Sequence, residues 1–566
     1  MARRPAPERV PVIRFEISEL ERLLGKSVPR EQLAQDIPML GADPDDVKSD
    51  TWAIEFFPDR PDLYTVEGIA RALRAWYGVQ PGLRHYETRP SGQHVTVEAS
   101  VEKVRPFIQA AFVRGVQVTE ARLQSLIDLQ EDLHWGLGAR RRRVAIGVHD
   151  ASVLAAPFTY TTWGLDEQKF IPLQHTDAMS PREILAKHPK GIEYAHLLKD
   201  HARVPVIIDS KGGVVSMPPI INAARTTVTT RTRDLLLDVT GTDEWAVGRA
   251  LNLLATSLAE AGGHIETVEI RGSTKRTVTP DLSSETRDLS VEETNRMLGV
   301  EFSANDIVTR LQRMGFGAHA KGKHVAVEVP AYRADILHAW DLIEDVAIGH
   351  GINEFAPLPL SMPTVGAALP ENKTAAQARS SLTGLGFLET MSLTLSNTRD
   401  QFERMQRPAS LFVDVKNPVT EDHTLLRVSL LPGLLGILKR NAHRDLPQRI
   451  FEAGMVTHLK DGGGVINERR VAGAIIQGRS NFSEIKGIAL ALARDLDWGE
   501  VEIAKAEDPA FVPGRCAALG AGGHHRGVFG EVHPAVLEAF GLQHPVTAFE
   551  FHLARGPGEH VRGATD

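Results

Sequence analysis

The sequence predicts a multidomain protein of the α+β class, and three observations support this prediction. With 566 residues, the chain is too long for a single hydrophobic core, and roughly three to five domains are expected. Two distant segments resemble one another, which indicates duplicated small domains of helices and strands. Towards the C-terminus, short apolar runs alternate with glycine turns, a pattern typical of an antiparallel sheet.

Composition narrows the functional class. The chain is 42% hydrophobic and 24% charged, as is usual for a soluble globular protein. Its net charge of −8 argues against general nucleic-acid coating, which needs a basic protein. Cys516 is the one cysteine, so no internal disulfide can form and a reducing cytoplasmic location is expected. The longest apolar stretch, 430–438, contains Pro and Gly and is too short to span a membrane, so no membrane partner is expected.

The internal repeat is visible in the glycine spacing. In each copy a Leu-Gly pair is followed sixteen residues later by a second glycine, at Gly25 and Gly41 in the first copy and at Gly299 and Gly315 in the second. The intervening residues show a helical apolar pattern, and the second glycine is well placed to end a helix. Chance likeness between two helix-turn-strand units is the alternative.

A shared motif after each repeat favours duplication over chance. Both copies continue with a short strand, a proline and an Arg-x-Asp motif, which holds Arg60 in the first copy and Arg333 in the second. A helix is predicted after each motif. In the first copy this helix carries Glu67 and Arg71, whose i,i+4 spacing predicts an exposed supporting ion pair.

The helix of the second copy carries acids instead. Four carboxylates fall within eleven residues, at Asp335, Asp341, Glu344 and Asp345, and no Lys or Arg occurs from Asp335 through Gly351. With 336–348 taken as helix, the last three acids share one side and Asp335 lies at the start, where capping is its alternative role. Carboxylate oxygens suit Mg²⁺. A solvated acidic face, or a face for a cationic partner, is the alternative.

The region between the repeats predicts an α/β domain. A β-hairpin is expected from 204–208 and 214–217, and a buried strand from 235–239. Asp238 and Thr240 would point to the same face of that strand and could position a water or bind a polar ligand, although such pairs often simply end a strand. The basic run 140–143 could contact phosphate or form a solvated loop.

Nine stretches, in this order, resemble the β subunit of phenylalanine–tRNA ligase of the archaeal and eukaryotic type. The likeness covers the chain from about Val12 to Phe551. The stretches are "ERLLGKSV…PMLGAD", "EFFPDRPDLYTVEGIARALRA", "AIGVHD", "DSKGGVVSMPPIIN", "VPAYRADILHAWDLIEDVAIGHG", "NPVTEDHTLLRVSLLPGLL", "RIFEAG", "PGRCAALG" and "GEVHP".

The resemblance implies four domains. These are an N-terminal repeat domain (1–91), an α/β editing domain (92–268), a second repeat domain with a magnesium site (269–360), and a degenerate class II synthetase core built on antiparallel sheet (361–566). It also implies an α subunit as partner in an (αβ)₂ heterotetramer that joins phenylalanine to tRNA(Phe) with ATP as substrate. The Gly-rich, Arg-bearing motif of an active core finds no match after Phe451, so this chain alone is not expected to form aminoacyl-adenylate.

The resemblance also implies particular site residues. The family's Mg²⁺ positions fall on Asp335, Asp341, Glu344 and Asp345, near the expected contact with α. The editing domain would hydrolyse tyrosine wrongly attached to the tRNA, with water as nucleophile. By position, Asp238 and Thr240 are expected to be catalytic, and the further pair Ser216 and Asn222 to bind substrate.

Two other functional classes are compatible with the sequence. A stand-alone aminoacyl-tRNA deacylase would need no α subunit, but it has no evident use for a class II-like core or a carboxylate-lined contact. A non-enzymatic tRNA-binding scaffold would not need Asp238 and Thr240.

Overall fold

The computed structural model describes residues 11–272, 275–357, 365–460, 462–479 and 481–553. The chain forms two compact units, unit 1 at Met1–Leu358 and unit 2 at Pro359–Asp566.

The first copy of the repeat is a three-stranded antiparallel sheet with three helices. Its elements are β1 (Val12–Glu16), α1 (Ile17–Leu24), α2 (Arg30–Asp36), β2 (Ala42–Asp46), β3 (Thr51–Phe56) and α3 (Val66–Trp76). Strand β3 lies between β1 and β2. Helix α1 ends at Gly25, whose φ of 69° is left-handed, a conformation that glycine adopts without strain. The helix end predicted at Gly41 is confirmed, because a 3₁₀ helix over Ile37–Leu40 ends there and Gly41 has a left-handed φ of 88°.

The middle of unit 1 is built on a ten-stranded mixed sheet. Its elements are β4 (Thr88–Val97), β5 (Phe107–Arg114), α4 (Glu120–Trp135), β6 (Val144–Asp150), β7 (Phe158–Gly164), α5 (Pro181–Lys187), α6 (Pro189–Tyr194), β8 (Arg203–Asp209), β9 (Val214–Met217), β10 (Ile221–Asn222), β11 (Leu235–Gly241), α7 (Glu244–Glu260), β12 (His264–Arg271) and β13 (Arg276–Thr279). The strand order is β10-β9-β8-β7-β4-β12-β5-β11-β6, and β13 pairs with β12.

Two predicted features of this region are confirmed. Strands β8 and β9 pair antiparallel as a hairpin. The buried strand predicted at 235–239 is β11, in which all seven residues are buried. The sheet runs from Thr88 to Thr279, and so extends at both ends beyond the 92–268 range expected for this domain.

The second copy repeats the architecture of the first. Its elements are β14 (Glu285–Ser290), α8 (Val291–Leu298), α9 (Ala304–Arg313), β15 (Gly317–Lys321), β16 (His324–Val329) and α10 (Ala339–His350). Strand β16 lies between β14 and β15, so both copies share one order of elements and of strands. This shared topology supports the predicted duplication.

One hydrophobic core joins both copies to the central sheet. It includes Trp52 and Leu73 from the first copy, Leu237 and Leu254 from the middle region, and Phe316 from the second copy. The three regions of unit 1 therefore pack as one body, which places the loops of the two copies near one another.

Unit 2 is a seven-stranded sheet between two helical layers. Its elements are α11 (Pro370–Gly384), β17 (Leu388–Glu389), β18 (Leu395–Ser396), β19 (Leu425–Leu426), α12 (Leu431–Arg440), β20 (Gln448–Leu459), β21 (Val465–Ile476), α13 (Phe482–Asp495), β22 (Val501–Lys505), β23 (Phe511–Ala521), β24 (His524–Val532), α14 (Pro534–Phe540) and β25 (Val546–His552). The strand order is β17-β20-β21-β25-β24-β23-β22.

The antiparallel sheet predicted for this region is confirmed, because every neighbouring pair except β17 and β20 runs antiparallel. Helices α12 and α14 pack in one core with alternate sheet residues such as Ile450 and Ala472. Helices α11 and α13 pack in the other with Phe451 and Val471. Among the described residues, no helix combines the length and apolarity needed to cross a membrane.

Candidate functional site

The acidic cluster of the second copy does not form one carboxylate face. Helix α10 begins at Ala339, with His338 as its N-cap, so the prediction that Asp335 starts this helix is wrong. Asp341 accepts hydrogen bonds from the backbone N–H groups of Leu337 and His338 and closes the capping box instead. Glu344 is exposed.

Asp345 is i,i+4 to Asp341, as predicted for acids that share one side of a helix, but unlike Glu344 it is buried. Successive helical residues are 100° apart, and this step turns Asp345 into the core, where it is 2% exposed. Arg333 donates to Asp345 Oδ2 at 2.6 Å and to Asp335 Oδ2 at 2.6 Å. A guanidinium from just outside the acid-rich stretch therefore bridges two of the four acids.

Burial and charge compete in this bridge. Burial raises the pKa of Asp345 to about 6, although Arg333 acts in the opposite direction. Burial also disfavours the charged form of Arg333, but Asp335 and Asp345 outweigh it and raise the pKa of this arginine. Arg333 thus supplies the positive charge that these two acids require.

The Arg-x-Asp motif of the first copy lies in the same buried region. Arg60 donates to Asp62 at 2.8 Å, and both side chains are buried. Arg71 is also buried and lies 3.7 Å from Asp62, while Glu67 pairs with Arg122 at 3.3 Å. The prediction that Glu67 and Arg71 form an exposed i,i+4 pair is therefore wrong.

Within the described residues, no three His, Cys, Asp or Glu side chains converge in a group that could hold a metal ion. Two of the expected Mg²⁺ ligands, Asp335 and Asp345, are engaged by Arg333. Asp341 and Glu344 lie at i,i+3 positions near the surface of α10, so they are neighbours on its face. Mg²⁺ is commonly bound through one or two carboxylates and several waters, and these two residues fit such a hydrated ion.

A second candidate site is a cavity of about 560 Å³ in the middle region of unit 1. It lies beside β6, the last strand of the sheet, and α4 contributes apolar side chains to its wall. The polar lining includes Asp238, Ser216 and Asn222, three of the four residues expected in the editing pocket. Its size and mixed lining are those of a small-molecule site.

Each of these three polar residues has a distinct environment. Ser216 and Asn222 are paired neighbours on β9 and β10. Ser216 is 1% exposed, and its Oγ has no hydrogen-bond partner among the described residues. Asp238 Oδ2 lies 2.5 Å from His149 Nε2, inside the sheet. An unpaired buried hydroxyl carries a desolvation cost, which a ligand in the cavity could remove.

Thr240 does not join this group, and it is absent from the described residues that line the cavity. Its Oγ1 accepts a hydrogen bond from Arg105 Nε at 3.0 Å, and its backbone carbonyl accepts one from Arg105 Nη2 at 2.7 Å. Burial lowers the pKa of Arg105 to about 10, against the opposing influence of Tyr160 and Asp238. Thr240 thus fixes a buried arginine close to Asp238.

The four arginines at 140–143 have different environments. Arg141 is buried, pairs with Glu131 at 2.6 Å and stacks over Tyr194. Arg143 pairs with Asp243 at 2.7 Å. Arg140 and Arg142 are exposed. The run is therefore neither a uniform basic patch nor a uniformly solvated loop.

The sequence reasoning missed three residues of these sites. Arg333 lies two positions before Asp335 in the Arg-x-Asp motif, but the sequence does not show that it pairs with the acids. His149 lies in the quoted stretch "AIGVHD" and shares a strand face with Gly147, the residue paired with Asp238. Arg105 carries no local signal, because its partner Thr240 is distant in sequence.

Comparison with known families gives the class of protein first. Residues 287–352, which hold the acidic cluster, match the tRNA synthetase B5 domain. Residues 357–553 match the phenylalanyl tRNA synthetase beta chain CLM domain. The chain is thus built from domains of an aminoacyl-tRNA synthetase.

Whole-chain relatives identify the family. The β subunit of phenylalanine–tRNA ligase from Methanothrix thermoacetophila is 43% identical over 96% of this chain and all of the relative. The β subunits from Methanosarcina barkeri and Archaeoglobus fulgidus are 44% and 43% identical over 96% of this chain, and 99% and 98% of their own lengths are covered. The chain belongs to the family of phenylalanine–tRNA ligase β subunits.

A solved structure is similar to the N-terminal part of the chain. It is an N-terminal fragment of the phenylalanyl-tRNA synthetase β subunit from Pyrococcus horikoshii, with 36% identity and a TM-score of 0.58. The match covers 60% of this chain and the whole of that fragment.

Proposed function

We propose that this chain acts with an α subunit to attach phenylalanine to tRNA(Phe), and that its own chemistry is the hydrolysis of tyrosine wrongly attached to that tRNA. The cavity beside β6 carries this proposal. It combines an apolar wall with Asp238, Asn222 and the unpaired hydroxyl of Ser216. Such a lining suits an aromatic side chain that ends in a hydroxyl.

Selectivity supplies the physical reason for such a cavity. Tyrosine exceeds phenylalanine by one hydroxyl, and an apolar synthetic site rejects that addition by only about a hundredfold. A site built to hydrogen-bond the hydroxyl rejects the analogue without it by about 10⁴-fold or more. Ser216 is the residue that we propose for this bond, because phenylalanine would leave its buried hydroxyl unpaired.

Asp238 is proposed to accept a proton from the water that attacks the ester. Thr240 is proposed to act indirectly, by holding Arg105 near Asp238.

The test uses the assembled complex and preformed tyrosyl-tRNA and phenylalanyl-tRNA. Asp238→Ala is expected to abolish hydrolysis of tyrosyl-tRNA. Ser216→Ala should remove much of the preference for tyrosine. Wild-type complex that spares tyrosyl-tRNA would disprove the editing function.

Adenylate formation with ATP is proposed to occur in α and not in this chain. In the described part of unit 2, two arginines are already paired with acids: Arg427 pairs with Glu452 at 2.7 Å, and Arg470 pairs with Glu468 at 2.8 Å and Glu550 at 3.2 Å. Paired cations are poorly available to a triphosphate. Phenylalanyl-tRNA formation should therefore require both chains, and full activity from this polypeptide alone would contradict the proposal.

The α subunit is proposed to contact unit 2 as part of an (αβ)₂ heterotetramer. Support comes from three exposed apolar side chains that follow α11: Leu388, Met391 and Leu393, which are 68%, 92% and 68% exposed. Large apolar side chains clustered on a surface commonly mark an interface. Met391→Asp and Leu393→Asp should weaken co-purification with α, whereas a charge at Val465, another exposed apolar residue of unit 2, should not.

Mg²⁺ is proposed to bind near Asp341 and Glu344, the two surface carboxylates of α10, with Asp335 and Asp345 held by Arg333. A bound cation would offset the negative charge of this face.

Contact with tRNA phosphate is proposed for the exposed Arg140 and Arg142, and replacing both with Gln should lower the salt dependence of tRNA binding. A cytoplasmic location is also proposed, in keeping with the buried free thiol of Cys516.

A further inference from the structure

A hydrogen-bonded chain of side chains runs beside the cavity, from the sheet to a short 3₁₀ helix over Ala224–Thr226. It begins at Asp238 on β11, whose Oδ2 lies 2.5 Å from His149 Nε2. His149 Nδ1 lies 2.8 Å from Thr226 Oγ1, and Thr226 Oγ1 lies 3.0 Å from the carbonyl oxygen of Ala223. His149 is fully buried, and Thr226 is 1% exposed. The histidine is therefore held at both ring nitrogens.

Two arrangements of hydrogens satisfy this chain. In one, the Thr226 hydroxyl donates to the Ala223 carbonyl, which also accepts from the Thr226 backbone N–H at 3.1 Å, and His149 Nδ1 donates to the hydroxyl. In the other, the Thr226 hydroxyl donates to His149 Nδ1. Both arrangements place one hydrogen between His149 Nε2 and Asp238 Oδ2, so the two side chains share one proton.

The backbone is shaped to admit this pair. Gly147 lies opposite Asp238 in the ladder between β6 and β11. A Cβ atom built on Gly147 would lie 2.1 Å from Asp238 Oδ2 and 2.5 Å from His149 Nε2. Both contacts are far too close, so only glycine allows the carboxylate and the imidazole to meet here. Gly147 also lines the cavity, which places the pair directly at its wall.

Several charged side chains surround the Asp238–His149 pair. Arg105 interacts electrostatically with Asp238, Tyr160 and Arg141, and Arg141 lines the cavity together with Glu131 and Lys190. Arg141 is paired with Glu131, and Lys190 lies 3.8 Å from the same carboxylate. The charged groups named here therefore carry a net positive charge around the pair.

We propose that His149 is a positioning residue of the hydrolytic site, which holds Asp238 and shares a proton with it, so that the pair acts as one acid–base group. This inference rests on the proposed hydrolysis of tyrosyl-tRNA. His149 engages Oδ2 and leaves Asp238 Oδ1 as the oxygen that accepts from the attacking water.

The proposed hydrolysis balances in bonds and protons. The water oxygen bonds to the carbonyl carbon of the ester, and the water proton passes to the Asp238–His149 pair. The bond between the carbonyl carbon and the ribose oxygen breaks, and the pair returns the proton to that ribose oxygen. The products are tyrosine and uncharged tRNA, and neither an oxidant nor a second substrate is needed.

The experiment measures hydrolysis of preformed tyrosyl-tRNA by the assembled complex across a range of pH. His149→Gln keeps an N–H donor for Asp238 but cannot exchange a proton. Its kcat should fall by about 10²-fold or more, the usual contribution of acid–base catalysis, with KM little changed and the pH profile altered. Thr226→Val should cause a smaller fall in kcat, and Thr226→Ser, which restores the hydroxyl, should recover the rate.

A matched control is available at Thr279. This residue is also buried, and its hydroxyl donates to the carbonyl of Ala110 at 2.8 Å, so Thr279→Val deletes the same kind of hydroxyl-to-carbonyl bond in the same unit. It should leave kcat and the pH profile unchanged.

Wild-type hydrolysis together with an unchanged rate and pH profile in both His149→Gln and Thr226→Val would overturn the role of His149 and leave the editing function standing. Absence of hydrolysis by the wild-type complex would overturn the editing function and this inference with it. If His149→Gln fails to fold, as shown by gel filtration, the comparison of Thr226→Val with Thr226→Ser decides the question, and equal rates for those two variants would overturn the proposal.

Discussion

The two copies of the repeat use the same Arg-x-Asp motif in opposite ways. In the first copy, Asp62 lies between two arginines, Arg60 at 2.8 Å and Arg71 at 3.7 Å. In the second copy, Arg333 lies between two aspartates, Asp335 and Asp345, each at 2.6 Å. The first cluster thus carries an excess positive charge and the second an excess negative charge, although their elements follow the same order.

The two clusters compensate one another because they share one buried region. Arg60 interacts electrostatically with Arg333 and Asp335, and Asp345 interacts with Arg60. Arg71 also lies 3.6 Å from the ring centre of Tyr332, the residue just before Arg333. A buried unpaired charge costs several kcal/mol, so each half would be poorly balanced alone. The two copies share a fold, and their buried charges are complementary.

The largest expected effect is that of Arg333→Met. This change leaves Asp335 and Asp345 without their shared cation, and it should destabilise unit 1 by about 3–5 kcal/mol. Urea unfolding of the whole chain, with hydrogen exchange of α10 to localise the loss, measures it. Arg182→Met is the control, because the pair of Arg182 with Asp166 is exposed and should contribute little to stability. Equal losses of unfolding free energy in both variants would mean that the buried bridge stabilises the protein no more than an exposed ion pair.

The next comparison sets Asp62→Asn against Asp345→Asn. Burial opposes the charge on both aspartates, but Arg60 outweighs it and lowers the pKa of Asp62 to about 2, whereas burial prevails at Asp345. Asp62→Asn leaves two buried arginines without a carboxylate and should cost about 3 kcal/mol. Asp345→Asn leaves Arg333 paired with Asp335 and should cost about 1 kcal/mol. If urea unfolding shows a larger loss of stability for Asp345→Asn than for Asp62→Asn, the proposed difference between the two copies is wrong.

The contribution of Asp62 to the free energy of unfolding should depend on pH. The folded pKa of Asp62, about 2, lies below its ordinary value of 3.8. The stability that it contributes is therefore complete above pH 3.8 and is lost as pH falls towards 2, and it amounts to about 2 kcal/mol. The difference in unfolding free energy between wild type and Asp62→Asn should shrink between pH 5 and pH 2. A constant difference would show that Asp62 is not the titrating group.

Much of the fold could be predicted from local sequence signals. Gly41 and Gly315 follow helices, as their place in the repeat predicts, and both have left-handed backbone conformations. The alternating apolar runs of unit 2 indicate its antiparallel sheet. The environment of Glu67 and Arg71 could not be predicted, because i,i+4 spacing says only that two side chains are close. Their burial depends on partners from other elements, and Arg122 on α4 is one such partner.

The candidate sites show the same limit. Period-two alternation predicts that Asp238 and Thr240 face one way on β11, but not that Arg105 intervenes at Thr240. Helical spacing placed Asp345 beside Glu344, although a single 100° step separates a buried side chain from an exposed one. Local patterns therefore identified which residues carry charge, whereas tertiary packing determined which charges are paired.

Glu344→Gln should have the smallest effect and tests the surface side of α10. In EDTA it should change stability by no more than about 0.5 kcal/mol, because Glu344 is exposed. In millimolar Mg²⁺ the wild type should gain a rise in Tm by mass action, and Glu344→Gln and Asp341→Asn should lose that rise. Glu354→Gln, which removes an exposed acid just beyond α10, should keep it. If Mg²⁺ does not change the Tm of the wild type, Arg333 is the cation that balances the acids of the second copy. The two copies would then differ in their charged side chains and not in a bound metal ion.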